Sequence, residues 1–356
     1  MRDLFQIALV VGTCLSGAAM GGVAGERLPK YTEPTDEYVS EHITWNKPSA
    51  NGPLKVLFIV PQLGAREIVE TCERFDIERE VHLTLLYDTF AYDGRGGGEC
   101  PWPQADEATA TRNLKDKLAR EYDCLVIGHI KWEILPEWAR NEILEKVRHG
   151  TGLVYRGRGK LPPELTKALG DNSVEKPNLS GYPFAGLPLF RSFETPEAFR
   201  DRFFKFCQVG KGRVVVMDNY PFEKEILNRT QQILTPECTD EFPDLHQIHY
   251  DYYQALLGHL FAWVSNAEPQ AGIRVPEGMS RRSVERDQMR EVSFNVVSAV
   301  DAAYDLEFVL RESSYGDIVV FSAKKAAALR TGENREQFPV RNVPAGRYFA
   351  DLCLKT

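Results

Sequence analysis

The sequence predicts an α/β fold, a parallel sheet flanked by helices, followed by a small antiparallel β-sandwich. From Lys55 to Tyr155, short continuous apolar runs alternate with stretches whose apolar residues recur at helical spacing. Each helical stretch is long enough to serve as a crossover between parallel strands. After Ile273 that period disappears, and short β-type runs separated by turn residues take its place. The 356 residues leave room for about two domains. A hydrophobic content of 43% and a charged content of 26% are globular values. The net charge of -8 argues against nucleic acid as a partner, because its binders carry a basic face.

The N-terminus reads as an export signal. Arg2 supplies the basic start, Ile7 to Val11 an apolar stretch, and the small residues up to Ala24 a cleavage site, most simply after Ala24. The apolar run is short and diluted by glycine, so a membrane span fits it less well. Residues 1–24 are therefore expected to leave with export, placing the protein in the periplasm or outside the cell, with no membrane contact after cleavage. Residues 25–53, rich in Pro, Thr, Glu and Asn, read as a linker or a strap over the domain.

The first domain is expected over 54–268. Lys55 to Val60 is a buried strand of the parallel kind, ended by Pro61. Ala65 to Phe75 is helical, with Ile68, Cys72 and Phe75 on one face, and Val81 to Tyr87 reads as the second strand. A glycine- and proline-rich loop over Phe90 to Gln104 precedes a helix from about Asp106, with Ala110, Leu114 and Leu118 aligned. Cys124 to Ile127 is a strand. Pro136 suits the first turn of the next helix, Ala139, Ile143 and Val147 recur along it, and Gly150 fits its C-terminal cap. Gly152 to Tyr155 follows as a strand. A proline-rich irregular region comes after Gly159, then a hairpin from Phe203 to Asp218 around Gly210-Lys211-Gly212, with helix competing over Phe199 to Cys207. Tyr253, Leu256, Leu257, Leu260 and Val264 stripe a last helix that Pro269 stops. The sandwich is expected over 273–356, with strands at Val292 to Val300, Leu306 to Arg311, Ile318 to Ser322 and Arg347 to Leu354; Lys324 to Arg330 could form a turn or two of helix. The chain stops at Thr356 straight after an edge-like strand, so either the sandwich closes there or the chain is the front of a longer protein.

Three stretches, KVLFIVP at 55–61, the run at 122–155 and VGKGRVVVMDNY at 209–220, carry a resemblance to the class I glutamine amidotransferase-like domain. The resemblance implies a flavodoxin-like architecture over 54–268. It also implies an exported bacterial multidomain protein whose β-sandwich is of the kind found beside glycoside-hydrolase modules. Trimerisation domains of certain β-galactosidases, which are non-catalytic, are similar too. The catalytic family carries a cysteine nucleophile on the turn after its fourth strand, and here that turn reads Tyr155-Arg156-Gly157-Arg158-Gly159. The family's histidine and glutamate after its last strand also lack a counterpart, since Asp218 to Glu223 holds no histidine. Glutaminase chemistry is therefore not expected, and no residue is assigned a catalytic role.

In an open parallel sheet, ligands bind beyond the carboxyl ends of the strands. Those ends offer Gln62, Asp88, His129, Arg156, Arg158 and Asn219, with Trp132 and Tyr220 from the loops. Two arginines, an acid, an amide and aromatic rings could hold a polyhydroxylated or carboxylated ligand. The plainer reading is that they are polar loop starters and salt-bridged neighbours. His246 and His249, with Asp244 and Asp251 near, lack a third metal ligand fixed by spacing, so packing or capping is preferred and no metal is expected. The Gly94 to Gly98 run lacks the features of a phosphate loop. Asp88 with Asp93, or Asp240 with Glu241, would suit glycoside cleavage only at a carboxylate separation that sequence does not give. Six scattered cysteines beyond Cys14 form no C-x-x-C pair; Cys72 and Cys124 fall at core positions, and Cys100 and Cys238 are the candidates for pairing in an oxidising compartment.

The reading is thus an exported, non-catalytic amidotransferase-like protein with a binding or assembly role in carbohydrate-related work. The alternative is a glycan-acting hydrolase, or the N-terminal part of a longer one. No cofactor is expected. A carbohydrate or other polar small ligand is the expected partner, and a homo-oligomer is compatible with the same reading.

Overall fold

The computed structural model describes residues 52–92, 106–170, 174–177, 196–217, 247–274, 291–312, 318–346 and 348–355, together with 36, 39, 42, 44, 47 and 49. Its centre is a six-stranded sheet in the order β2-β1-β3-β4-β6-β5. These strands are β1 (Leu54–Pro61), β2 (Ile77–Thr84), β3 (Cys124–Gly128), β4 (Gly152–Arg156), β5 (Phe204–Val209) and β6 (Gly212–Met217). Every pairing is parallel except the hairpin of β5 with β6 at one edge. The helices are α1 (Ala65–Arg74), α2 (Glu107–Leu118), α3 (Glu137–His149), α4 (Pro163–Leu169), α5 (Pro196–Phe203) and α6 (Gln247–Val264).

The continuous apolar runs follow from burial on both faces. Side chains of a strand alternate between faces, and along β1 Val56, Phe58 and Val60 enter one apolar cluster while Leu57 and Ile59 enter the other. The first cluster is completed by Ile68 and Cys72 of α1 and Leu256, Leu257, Leu260 and Phe261 of α6. Leu114 and Leu118 of α2 and Ala139, Ile143 and Val147 of α3 complete the second. The same alternation holds in β3, where Cys124 and Val126 oppose Leu125 and Ile127. Full burial of one such side chain is worth about 1.5–3 kcal/mol, so these two strands anchor the layers.

Local chemistry sets the ends of the elements. The Asp106 carboxylate accepts from the amides of Ala108 and Thr109, capping α2. Pro136 stands just ahead of α3 as its N-cap, and Gly150 closes that helix at a φ of 128°. Helix and strand, which competed over Phe199 to Cys207, divide the segment: α5 ends at Phe203 and β5 begins at Phe204. Gly210, at a φ of 62°, turns the hairpin.

Three expectations are corrected. The second strand begins at Ile77 and ends at Thr84, so Tyr87 belongs to the loop beyond it. The stretch after Gly159 includes α4, which Pro162 and Pro163 start rather than prevent. Lys324 to Arg330 is not helical: all but its last residue lie in β10 (Val319–Leu329).

After α6 come β7 (Ala271–Arg274), β8 (Glu291–Ser298), β9 (Ala302–Arg311), β10, β11 (Gly332–Pro339) and β12 (Phe349–Lys355). They form two antiparallel three-stranded sheets, β10-β9-β12 and β11-β8-β7. Phe294 and Val296 of β8, Leu306, Phe308 and Leu310 of β9, and Phe338 of β11 share one apolar cluster, so the inner faces of both sheets feed it. The ring of Phe308 lies 5.3 Å from that of Phe294 and 5.5 Å from that of Phe338.

One buried polar contact ties α1 to α6. The Thr71 hydroxyl lies 2.8 Å from Gln254 Oε1 and 2.9 Å from the Glu67 carbonyl, and both Thr71 and Gln254 are fully buried. Thr71→Val keeps the shape and removes that partner from a desolvated amide. A loss of about 1–2 kcal/mol is expected in urea denaturation; an unchanged midpoint would show that the contact contributes nothing.

Candidate functional site at the carboxyl edge of the parallel sheet

The chain runs from β1 outward to β2 on one side and then returns to place β3 on the other side of β1. The reversal falls at the carboxyl ends of β1 and β3, the usual place for a ligand in such a sheet. Gln62 follows β1 there, in a short 3-10 turn (Gln62–Gly64) ahead of α1, and it is buried. His129 follows β3, and Arg156 is the last residue of β4.

His129 holds a left-handed backbone, with φ at 51°. That conformation is uncommon outside glycine, although histidine tolerates it better than branched residues. It turns the chain out of β3 while the His129 amide donates to the Arg156 carbonyl. Two residues on, the Arg158 amide donates to the Ile130 carbonyl at 2.8 Å. The strand ladder therefore continues past the ends of β3 and β4 and fixes both loops.

The electrostatics follow from burial and neighbours. Arg156 is 4% exposed and His129 is 9% exposed. Burial first, then the charges of Arg156 and Arg158, push the His129 pKa down to about 3. The imidazole is neutral at ordinary pH and presents one donor and one acceptor nitrogen. The guanidinium of Arg158 lies over the Tyr87 ring at 4.1 Å, a cation–π contact. The Tyr87 carbonyl accepts from the Lys131 amide at 2.8 Å, drawing the loop beyond β2 against the loop beyond β3. Lys131 Nζ stands 3.8 Å from Asp88, so this acid is balanced locally.

The structure thus gathers His129, Arg156 and Arg158, with Asp88 at their margin through Lys131. Trp132 departs from expectation. It is 4% exposed, lies in the apolar cluster and meets the Tyr155 ring edge-on at 6.0 Å, so it packs the core and offers no ring to a ligand. Asn219 and Tyr220 lie outside the described residues, as do Asp93, the Gly94 to Gly98 run, Cys100, Cys238, Asp240, Glu241, Asp244, His246 and the side chains of His249 and Asp251. Sequence reasoning missed Tyr87 and Lys131. The apolar run from Val81 draws Tyr87 into a strand, and the signal for Lys131 is only its place three residues beyond the end of β3.

Tyr155, also missed, shapes the turn. Its ring is buried, its hydroxyl has no hydrogen-bond partner, and that hydroxyl fills the space above Gly157. A Cβ on Gly157 would lie 2.0 Å from it. Residues 155 and 157 project to the same side of an extended chain, so the large ring and the missing side chain are two halves of one packing arrangement.

The described cysteines stand elsewhere. Cys72, Cys124 and Cys207 are buried, and burial pushes their thiols upward, to about 11 for Cys72 and Cys207. Raised thiols are poor nucleophiles. Cys353 is exposed on β12. Among the described residues, no group of three or more His, Cys, Asp or Glu side chains is placed to hold a metal ion. Among them, too, no helix is long and apolar enough to cross a membrane.

No protein-family model matches the sequence. No curated protein matches it. Among solved structures, the chain is similar to a β-glucosidase from Listeria innocua in complex with glucose, at 11% identity and a TM-score of 0.23, covering 85% of this chain and 42% of that one. It is also similar to a β-glucosidase from Erythrobacter marinus, at 12% identity and a TM-score of 0.25, covering 86% of this chain and 45% of that one. The chain therefore spans under half the length of either enzyme. At these scores neither likeness bears on fold or function.

Proposed function

We propose that the protein is an exported, non-catalytic relative of the class I amidotransferase-like domains, with a β-sandwich following a flavodoxin-like scaffold. Its carboxyl edge holds a polar small ligand, carbohydrate in kind, in a binding or assembly role. What supports the scaffold is the order β2-β1-β3-β4-β6, which is the flavodoxin-like order 2-1-3-4-5 with an antiparallel strand, β5, added at the edge. The observation that carries the non-catalytic reading is the packing of Tyr155 over Gly157. The centre of the β4 turn has no room for a side-chain nucleophile, and its flanking positions are arginines. Preorganised cations with a neutral imidazole beside them suit binding through hydrogen bonds and charge.

Thermal-shift screening of the purified protein against a panel of mono- and oligosaccharides and organic acids tests the reading. A ligand at a hundredfold excess over its Kd adds about 2.7 kcal/mol to stability and raises the melting temperature. Arg158→Gln is expected to abolish the ligand's shift, measured against the variant's own ligand-free melting temperature, since the substitution also removes the stack on Tyr87. If no compound moves the wild type, or the variant responds as the wild type does, the carboxyl edge is not a binding site.

A further inference from the structure

We infer that β12 pairs edge to edge with β12 of a second copy of this chain, antiparallel and with Cys353 at the twofold axis. The inference concerns the C-terminal sheets alone and stands apart from the ligand reading above.

An edge strand offers its outward N–H and C=O groups to any other strand, and proteins blunt such edges with charge, proline, bulges or short length. Among the described residues the two C-terminal sheets have four edges, β10 and β12 in one and β11 and β7 in the other. Three of them are blunted. β10 carries Lys324 and Lys325 in mid-strand and shifts register between Val319 and Phe321. β11 reads GENREQFP, with three charged residues and a terminal proline, and β7 is only four residues long. β12 differs. It reads FADLCLK, pairs with β9 along its whole length without a register shift, and has its only lysine at its end. Leu352 and Leu354 are half-buried at the margin of the apolar cluster between the sheets, and a strand laid alongside would cover them.

What selects a second copy is self-complementarity. A twofold axis perpendicular to the sheet sets two copies of one strand antiparallel, inner face beside inner face. With Cys353 on that axis, Leu352 stands opposite Leu354 of the other copy, and Asp351 stands opposite Lys355. Moving the axis to Leu352 sets Asp351 against the cysteine and Phe349 against the lysine. Moving it to Asp351 opposes two carboxylates, which is unfavourable. Both charged groups already have partners within the chain. Arg311 Nε lies 2.5 Å from Asp351, and Lys355 Nζ lies 2.6 Å from Glu307. These pairs extend the contact rather than compete with it. Arg311 and Glu307 belong to β9 and face outward with Asp351 and Lys355, since Leu306, Phe308 and Leu310 take the inner face. Across the join the outer face therefore reads Arg311, Asp351, Lys355, Glu307, with the sign alternating at every step. A carboxylate accepts more than one hydrogen bond and an ammonium has three donors, so each group can serve both neighbours.

Analytical ultracentrifugation of the full-length chain from about 1 to 100 µM is expected to show a reversible dimer. Lys355→Asp would oppose carboxylates on both sides of the axis, and Asp351→Lys would oppose ammonium groups. Each variant alone is expected to self-associate at least about tenfold more weakly than the wild type. An equal mixture of the two restores an opposite-charge pair on both sides, so the dimer should return, which also shows that both variants are folded. A wild type that stays monomeric across the range, or Lys355→Asp dimerising as the wild type does, would overturn the β12 interface. A mixture as weak as its components would overturn the register. Diamide reads the axis directly, because its N=N bond takes up the two thiol hydrogens and leaves an S–S bond between the copies. Opposed residues have Cβ atoms about 4.5–5.5 Å apart, close to the 3.5–4.5 Å of a disulfide. A covalent dimer is expected in the wild type and not in Cys353→Ser; equal cross-linking in both would overturn the placement of Cys353.

Discussion

Lowering the pH from 7 to 5 is expected to destabilise the folded protein, with His82 and His129 contributing about 2 kcal/mol each. His82 projects from β2, is 3% exposed, stacks on Phe90 with ring centres 5.5 Å apart, and has no hydrogen-bond partner for its buried Nε2. Burial first, then the charge of Lys117, push its pKa down to about 3. His129 is pushed to a similar value by burial, Arg156 and Arg158. In the unfolded chain both imidazoles take up a proton near pH 6.5. Between pH 6.5 and pH 3 the unfolded state therefore binds more protons than the native one, and stability falls as the pH falls. At pH 5 the imbalance is worth about 2 kcal/mol for each histidine. Glu73 works in the opposite direction, because burial and then Glu70 raise its pKa, so part of the loss is offset once the pH nears the carboxylate range. Hydrogen-bonded acids such as Asp106 and Asp301, whose pKa values are lowered, add their own loss only below about pH 4. Urea denaturation across pH 5 to 7 reads the effect. His82→Leu removes one proton from the balance, so its stability should depend on pH less steeply than the wild type's. A midpoint that stays level from pH 7 to pH 5 would contradict the account, as would an equal slope in the variant.

The sheet was legible in the sequence where burial on both faces leaves an unbroken apolar run, as in Val56 to Val60 and Cys124 to Ile127. The edge strand β2 was harder. Glu78, Arg79 and Glu80 lie within it, and polar residues on an exposed edge resemble a loop. Starting that strand at Val81 carried Tyr87 into it and hid the ring on which Arg158 stacks. In the C-terminal sheets, β10 reads VVFSAKKAAAL, and alanine with lysine favours helix locally. The ladder to β9 overrides that preference, with Lys324 opposite Glu307 and 3.1 Å from it, and Lys325 lying 4.8 Å over the Phe338 ring. Strand β11, GENREQFP, was missed because only Phe338 along it is buried, so the pairing with β8 holds it and no apolar alternation marks it. At the candidate site, Arg156, Arg158 and His129 stand out in the sequence because ligands gather at the carboxyl ends of parallel strands. Which of Trp132 and Tyr87 faces inward depends on packing between separate loops, and residue spacing carries no trace of it.

Gly157→Ala is the sharpest test of how that turn is built. The new Cβ would fall 2.0 Å from the Tyr155 hydroxyl and 2.1 Å from the ring carbon that bears it. Tyr155 has little freedom to yield, being packed on Trp132 within the apolar cluster of β3, β4 and α3. Overpacking of this kind costs about 3 kcal/mol, either by expelling the ring or by bending the turn. The arginines on either side would move with the turn, so ligand affinity should fall together with stability. Tyr155→Phe alone is the control, since it removes a buried hydroxyl that has no partner and should change stability by less than about 0.5 kcal/mol. It does not relieve the clash, because the ring carbon remains. Tyr155→Leu does relieve it, at the cost of a cavity of its own. In that background the added penalty of Gly157→Ala should drop below about 1 kcal/mol, a coupling that a double-mutant cycle measures directly. An equal penalty in both backgrounds would mean that backbone conformation, not Tyr155, requires glycine there. The cycle bears on chemistry as well as packing. A cysteine introduced at 157 meets the same ring, so placing a nucleophile at this turn would first require Tyr155 to be replaced.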